Sequence, residues 1–224
     1  MDNKKIDIKP ILIGGMYKLP FREEVGNAVS HGVPAILLFL FLPLISIMGY
    51  NRGDYKLGLG YGVYISCLFL MFSFSTLYHS MDFHSKHKQV FRILDHSMIF
   101  LAIAGSFTPI CLQLENQWLG IGILVCQWLM VIFGILYKSL AKKRMPKASL
   151  AIYLIMGWSA VLLLPSFIQG RQWGLLAFIL AGGILYSVGA YFYSKKDKIW
   201  HHFIWHIFIV LASIAHLIGI LFLS

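Results

Sequence analysis

Two histidines four residues apart, His202 and His206 in IWHHFIWHIFIVLASIAHLIGILFLS (199–224), carry the first chemical signal of this chain. Residues four apart share a helix face, so the pair can grip one metal ion, whereas His201 is rotated well away from His206. A zinc site needs three or four ligands, so other segments must bring imidazole or carboxylate to the same depth. Ser75 and His79 stand one turn apart in FSFSTLYHSMDFHSKHKQ (72–89), and Asp95 sits near the start of FRILDHSMIFLAIAGSFTPICLQ (91–113). A carboxylate within an apolar segment is costly unless paired or metal-bound, which makes Asp95 a functional-site candidate. Its structural alternative is a capping or dipole role at the start of a helix.

The elements that must position these residues are membrane spans. Of 224 residues 58% are hydrophobic and 12% charged, and the mean hydropathy is +0.74, a composition of polytopic membrane proteins rather than soluble domains. Apolar runs at 26–49, 58–79, 93–113, 118–137, 148–168, 173–193 and 199–223 are each about 20 residues long, the length of one helical span. The predicted fold is therefore all-α, a seven-helix membrane bundle at 26–224 behind a cytoplasmic N-terminal segment at 1–25.

The net charge of +10 could suggest nucleic acid, but Lys and Arg occupy short loops rather than one face, so no nucleic-acid partner is expected. With the N-terminus inside, Lys4, Lys5, Lys9, Lys18, Arg22, Lys86, Lys88, Arg92, Lys138, Lys142, Lys143, Arg144, Lys147, Lys195, Lys196 and Lys198 lie on one side. Only Arg52, Lys56 and Arg171 lie on the other. The positive-inside rule places the N-terminus in the cytoplasm and the C-terminus outside. The polar, basic first twenty-odd residues argue against a cleavable signal peptide.

This topology runs the second span outward to inward, and the third and seventh inward to outward. His79, Asp95, His202 and His206 then meet near the cytoplasmic face. Three imidazoles with one open position form a known zinc set. The other polar residues read more plainly. Glu23 and Glu24 suit the positive end of the first helix dipole. Asn27 and His31, four apart, are expected in helix-to-helix hydrogen bonds rather than in metal ligation. His84 and His87 fall in a basic turn, and His96 is a neighbour of Asp95 rather than a ligand. His216, about 15 Å beyond His206 along the helix, is expected to be a hydrogen-bonded structural histidine lining the bundle.

Cys67, Cys111 and Cys126 lie in spans at no metal-like spacing and read as small buried residues. Pro34 and Pro165 are expected to bend the first and fifth spans. Gly105, Ser106, Thr108 and Pro109 form a small-residue face in the third, and Gly182 and Gly183 permit close approach in the sixth. Trp118, Trp173 and Trp200 suit interfacial anchoring.

SxxxH (Ser75 to His79), LDHSMIFLAIAGSFTP (Leu94 to Pro109), HxxxH (His202 to His206) and NAVSHG (Asn27 to Gly32) together resemble the hemolysin III family. That family stands with adiponectin and progestin receptors and alkaline ceramidases in one seven-helix superfamily. The resemblance spans nearly the whole chain from about Glu24. It implies Zn2+ held by His79, His202 and His206, with Asp95 reaching the metal through a water and Ser75 close behind. It also implies a multi-pass protein of a cell membrane, the bacterial inner or plasma membrane, with a role in lipid homeostasis. A short N-terminal segment argues against a hormone-receptor role.

The expected activity is zinc-dependent hydrolysis of an amide or ester bond in a membrane lipid, the expected partner. Asp95 would take a proton from water and return it to the leaving group, and Ser75 would donate to the developing oxyanion. Two alternatives stand beside it. One is a non-enzymatic sensor or signalling protein with structural zinc; the other is a pore-forming cytolysin, ranked lower because the spans describe a membrane resident. Oligomeric state leaves no mark in the sequence.

Overall fold

The computed structural model describes residues 9–13, 16–140 and 146–223. Lys4, Lys5, Lys142, Lys143 and Arg144, which contribute to the charge asymmetry, lie outside the described residues. A short antiparallel hairpin comes first, β1 (Ile11–Ile13) and β2 (Met16–Lys18), with Leu12 opposite Tyr17. The helices that follow are α1 (Phe21–Arg52), α2 (Tyr55–Ser80), α3 (Lys88–Leu112) and α4 (Gln117–Leu140). After them come α5 (Pro146–Trp158), a 3-10 segment (Ser159–Leu163), α6 (Leu164–Gln169), α7 (Trp173–Ser194) and α8 (His201–Phe222).

Within lipid a backbone must satisfy its own polar groups, which is why the apolar runs all become helices. Among the described residues seven segments are long and apolar enough to cross a membrane, α5, the 3-10 turn and α6 forming one of them. The protein is a multi-pass membrane protein. Each helix packs against its chain neighbours, and α8 closes the bundle against α1 and α3. In the most apolar stretch of each span, 56% of α2 and 44% of α3 and α8 are buried, against 17–28% for the others. The three inner helices are those that carry the expected site residues.

The first span starts earlier than hydropathy suggests. Helix α1 begins at Phe21 and contains Glu23, which is completely buried, and Glu24, so Asp95 is not the only carboxylate within a span. Asp95 itself lies two turns into α3, whose N-cap is His87, and this removes the capping alternative. Helix α1 runs unbroken through Pro34 and Pro43, whereas Pro165 follows a genuine break, the 3-10 segment, and starts α6. Gln127 of α4 reaches across that break, donating to the Met156 carbonyl at 3.1 Å and to Ser159 Oγ at 2.8 Å.

Close approach falls where small residues predicted it. A Cβ at Gly105 would stand 2.7 Å from Cys67 Cβ, and one at Gly182 would run into the His216 ring. Cys67 and Cys111 are buried, but Cys126 is exposed, because it lies on the face of α4 turned away from the bundle. Trp118 and Trp173 are exposed near span ends, as anchoring requires.

Candidate metal centre

His79 occupies the last turn of α2, and His202 and His206 the first turns of α8. The bundle brings all three together, each buried. His202 Nε2 stands 3.3 Å from His79 Nε2 and 3.2 Å from His206 Nε2, and the three ligand atoms close within 4.8 Å of one another. Tetrahedral coordination at about 2.05 Å separates neighbouring ligand atoms by about 3.3 Å, which the two edges at His202 match, so the triplet is able to coordinate a metal ion.

Hydrogen bonding fixes which nitrogen faces inward. His79 Nδ1 lies 2.5 Å from Glu24 Oε2, and a carboxylate only accepts, so Nδ1 carries the proton and Nε2 offers its lone pair. Three Nε2 atoms cannot satisfy one another, because one proton answers only one of the two contacts that His202 makes. A cation between them does. Glu24 therefore plays the part of the carboxylate behind a ligating histidine, holding ring and tautomer. Its other oxygen is held by Lys88 Nζ at 2.9 Å, a fully buried ammonium that also donates to the Met81 carbonyl at 2.9 Å.

Asp95 and Ser75 line the same small space as His202 and His206. The Asp95 carboxylate, 13% exposed, receives His96 Nδ1 at 3.2 Å and has the Ser75 hydroxyl as a hydrogen-bond donor. His96 is not part of the triplet, as expected. Its Nδ1 also meets the Arg92 carbonyl at 2.9 Å and must be protonated, so Nε2 accepts from the Tyr193 hydroxyl at 3.0 Å.

Helix α8 is fixed at both ends by other helices. At its start Trp200 adopts a left-handed conformation, φ 61°, and offers no side-chain cap, so Glu23 of α1 supplies one by accepting the Trp200 N–H at 3.2 Å. At its end Arg52 donates to the Leu221 carbonyl at 2.6 Å and Tyr61 to the Ile220 carbonyl at 2.9 Å. Placement of His202 and His206 thus depends on residues far away in sequence.

Of the residues read as structural, Asn27 brings its amide nitrogen to 3.5 Å from His79 Nδ1 across the helices, although with that nitrogen protonated toward Glu24 the contact is not a hydrogen bond. His31 departs from its expectation. Instead of a helix-to-helix hydrogen bond, it stacks on His206 at 3.9 Å and 21° and takes the Phe72 ring edge-on, leaving both ring nitrogens unpartnered among the described residues. His84 and His87 are exposed loop residues and His201 contacts its own turn, all apart from the centre. His216 Nε2 donates to the Ile179 carbonyl at 3.2 Å, the structural role expected of it.

Sequence reasoning placed Glu23 and Glu24 in the first turn of α1, where they stand, but missed their partners on other helices, and it did not single out Tyr193. The signal for Glu24 was present: Glu24, Asn27 and His31 recur at helical spacing on one face.

Beyond the centre, and sharing Met71, Ile99, Trp205 and Ile209 as lining, lies an apolar cavity of about 150 Å³. Helices α2, α3, α5, α6, α7 and α8 line it, and His216 is set in its wall.

A seven-span bundle holding a three-histidine cage against an apolar cavity defines a class of membrane protein with a buried centre able to coordinate a metal ion. Comparison with known proteins narrows the class. Residues 19–217 match the Haemolysin-III related family, and the chain belongs to it, within the superfamily of adiponectin and progestin receptors and ceramidases. Hemolysin-3 of Bacillus cereus is 37% identical over 201 residues, 90% of this chain and 91% of its own. A Hemolysin-3 homolog of Bacillus subtilis (strain 168) is 34% identical, covering 90% and 94%. The human Monocyte to macrophage differentiation factor is 28% identical over 210 residues, 90% of this chain and 84% of its own.

Proposed function

We propose that this protein is a zinc-dependent hydrolase that cleaves an amide or ester bond of a membrane lipid from the cytoplasmic side of a bacterial plasma membrane. The observation that carries the reading is the histidine triplet, whose two edges at His202 measure 3.2 and 3.3 Å, with a carboxylate beside it and an apolar cavity behind it. The donor set fits zinc: His79, braced by Glu24, would hold it together with His202 and His206, and Asp95 lines the space beside them. A zinc ion bound there supplies Lewis acidity and water that ionises near neutral pH.

The chain's own residues do the rest. The apolar cavity holds an aliphatic chain, excludes bulk water and sets the scissile bond beside the cage. Asp95, its orientation fixed by His96, takes a proton from water and returns it to the leaving amine or alcohol. Ser75 donates to charge building on the carbonyl oxygen. The basic loops support a cytoplasmic position for this end of the bundle, and kinship with two Bacillus proteins supports a bacterial membrane.

The test is metal content per chain of detergent-purified protein, followed by a lipid-hydrolysis screen with Asp95→Asn as control. About one zinc per chain and turnover lost in Asp95→Asn support the reading. Full activity in Asp95→Asn would remove the mechanism, and zinc without turnover on any lipid would favour a sensor.

A further inference from the structure

The basic end of the bundle holds more positive charge than its acids answer. On the stripe of α3 that leads to the cage, Lys88 is neutralised by Glu24, which also serves His79, and Asp95 is occupied by His96 and Ser75. Arg92 lies between them on that stripe. It forms no salt bridge among the described residues, and its Nη1 is buried without a hydrogen-bond partner. A buried donor left unanswered is unfavourable, so the position calls for an anion.

A second cation faces the same place. Lys196, in the turn between α7 and α8, donates to the Tyr193 hydroxyl at 3.2 Å and lies over the Tyr193 ring at 4.3 Å and the Tyr17 ring at 5.7 Å. Tyr193 in turn donates to His96 Nε2, which links Lys196 to the segment carrying Arg92 and Asp95. Burial, with the nearby Arg92 guanidinium, pushes the Lys196 ammonium down to about 8, while Asp95 opposes that shift. Two cations crowded together without a carboxylate of their own match the demand of a phosphate, which accepts several charge-assisted hydrogen bonds at once.

We propose that Arg92 and Lys196 form a binding site for a phosphate group at the basic end of the bundle, beside the Tyr193 side chain that lines the space next to the histidine cage. In a membrane protein whose cavity takes an aliphatic chain, that phosphate belongs to a lipid headgroup. This part rests on the lipid reading above, whereas the anion site stands on its own geometry.

The experiment is equilibrium binding by calorimetry to the detergent-purified full chain, with dioctanoyl phosphatidate, dioctanoylglycerol and inorganic phosphate as probes. Phosphatidate is expected to bind at least tenfold more tightly than dioctanoylglycerol. Arg92→Gln and Lys196→Gln are each expected to lose about tenfold, and the double variant to fall to the dioctanoylglycerol level. Exposed Lys198→Gln should match the wild type, and unchanged metal content in every variant would show that the bundle is intact. Millimolar inorganic phosphate that displaces phosphatidate would show that free phosphate alone fills the site; failure to displace it would assign the site to a lipid-borne headgroup. Wild-type binding in both Arg92→Gln and Lys196→Gln, or an equal loss in Lys198→Gln, would overturn the proposal. Turnover is not needed for this measurement, so an anion site without hydrolysis, or hydrolysis indifferent to both substitutions, tells the two readings apart.

Discussion

The histidine cage and the apolar cavity share Met71, Ile99, Trp205 and Ile209, but they tolerate change very differently. In the cage, side chains are held by directional contacts, most of them from other helices: Glu24 behind His79, His31 stacked on His206 and Glu23 at the start of α8, with His96 holding its neighbour Asp95 within α3. In the cavity the polar contacts lie in the wall, among them Tyr186 with Ser213 at 2.9 Å, Tyr153 with the His96 carbonyl at 2.6 Å and His216 with Ile179, and most of the lining is aliphatic and aromatic surface. Directional bonds fix atoms to within tenths of an ångström, whereas apolar contact fixes only a volume. The bundle thus pairs a rigid centre with a forgiving pocket.

The largest effect should come from the cage itself: His202→Ala and His206→Ala are each expected to lose the bound metal, read by elemental analysis. Retention of one equivalent in either would deny that the triplet is the site. Asp95→Asn should keep the metal and reduce turnover by about 10²–10⁴-fold, the usual worth of a positioned acid–base group. Glu24→Gln, which keeps the shape but loses the charge behind His79, should weaken metal affinity by about 10–100-fold in chelator competition. An unchanged affinity would mean that bundle packing alone orients the ring.

Phosphatidate binding should weaken as pH rises above about 8, where Lys196 of the free site gives up its proton; the sign follows because only the ammonium attracts the anion. Arg92 stays charged throughout, so the loss should be partial, and Lys196→Gln should flatten it. The smallest effect belongs to the cavity. Ala160→Leu, in its lining, should leave metal content intact and shift the preferred chain length by only a few fold. A loss of metal there would show that cage and cavity are mechanically one unit.

Much of this architecture can be read before any coordinates. Seven apolar runs of span length, with basic residues on alternate loops, dictate the helices and their direction, and direction alone brings His79, His202 and His206 to one level. The acids at the start of α1 were harder to read because hydropathy treats a charged pair as the end of a span. The helix continues through Glu23 and Glu24 because their partners come from α2, α3 and α8, which local sequence does not reveal. Cys126 and His31 show the same limit in another form: periodicity says that a residue lies on a helix face, but not which neighbour that face meets.

The clasp between Glu23 and Trp200 joins the first helix to the last, and this orders events during synthesis. His79 enters the membrane with the second span, but His202 and His206 arrive on the last of these spans, and Glu23, Arg52 and Tyr61 wait for them from the beginning. Until α8 docks, Glu24 braces a lone imidazole and the cage does not exist. Metal loading would therefore report on completed assembly, and a chain stalled before α8 would be a bundle with no centre to fill.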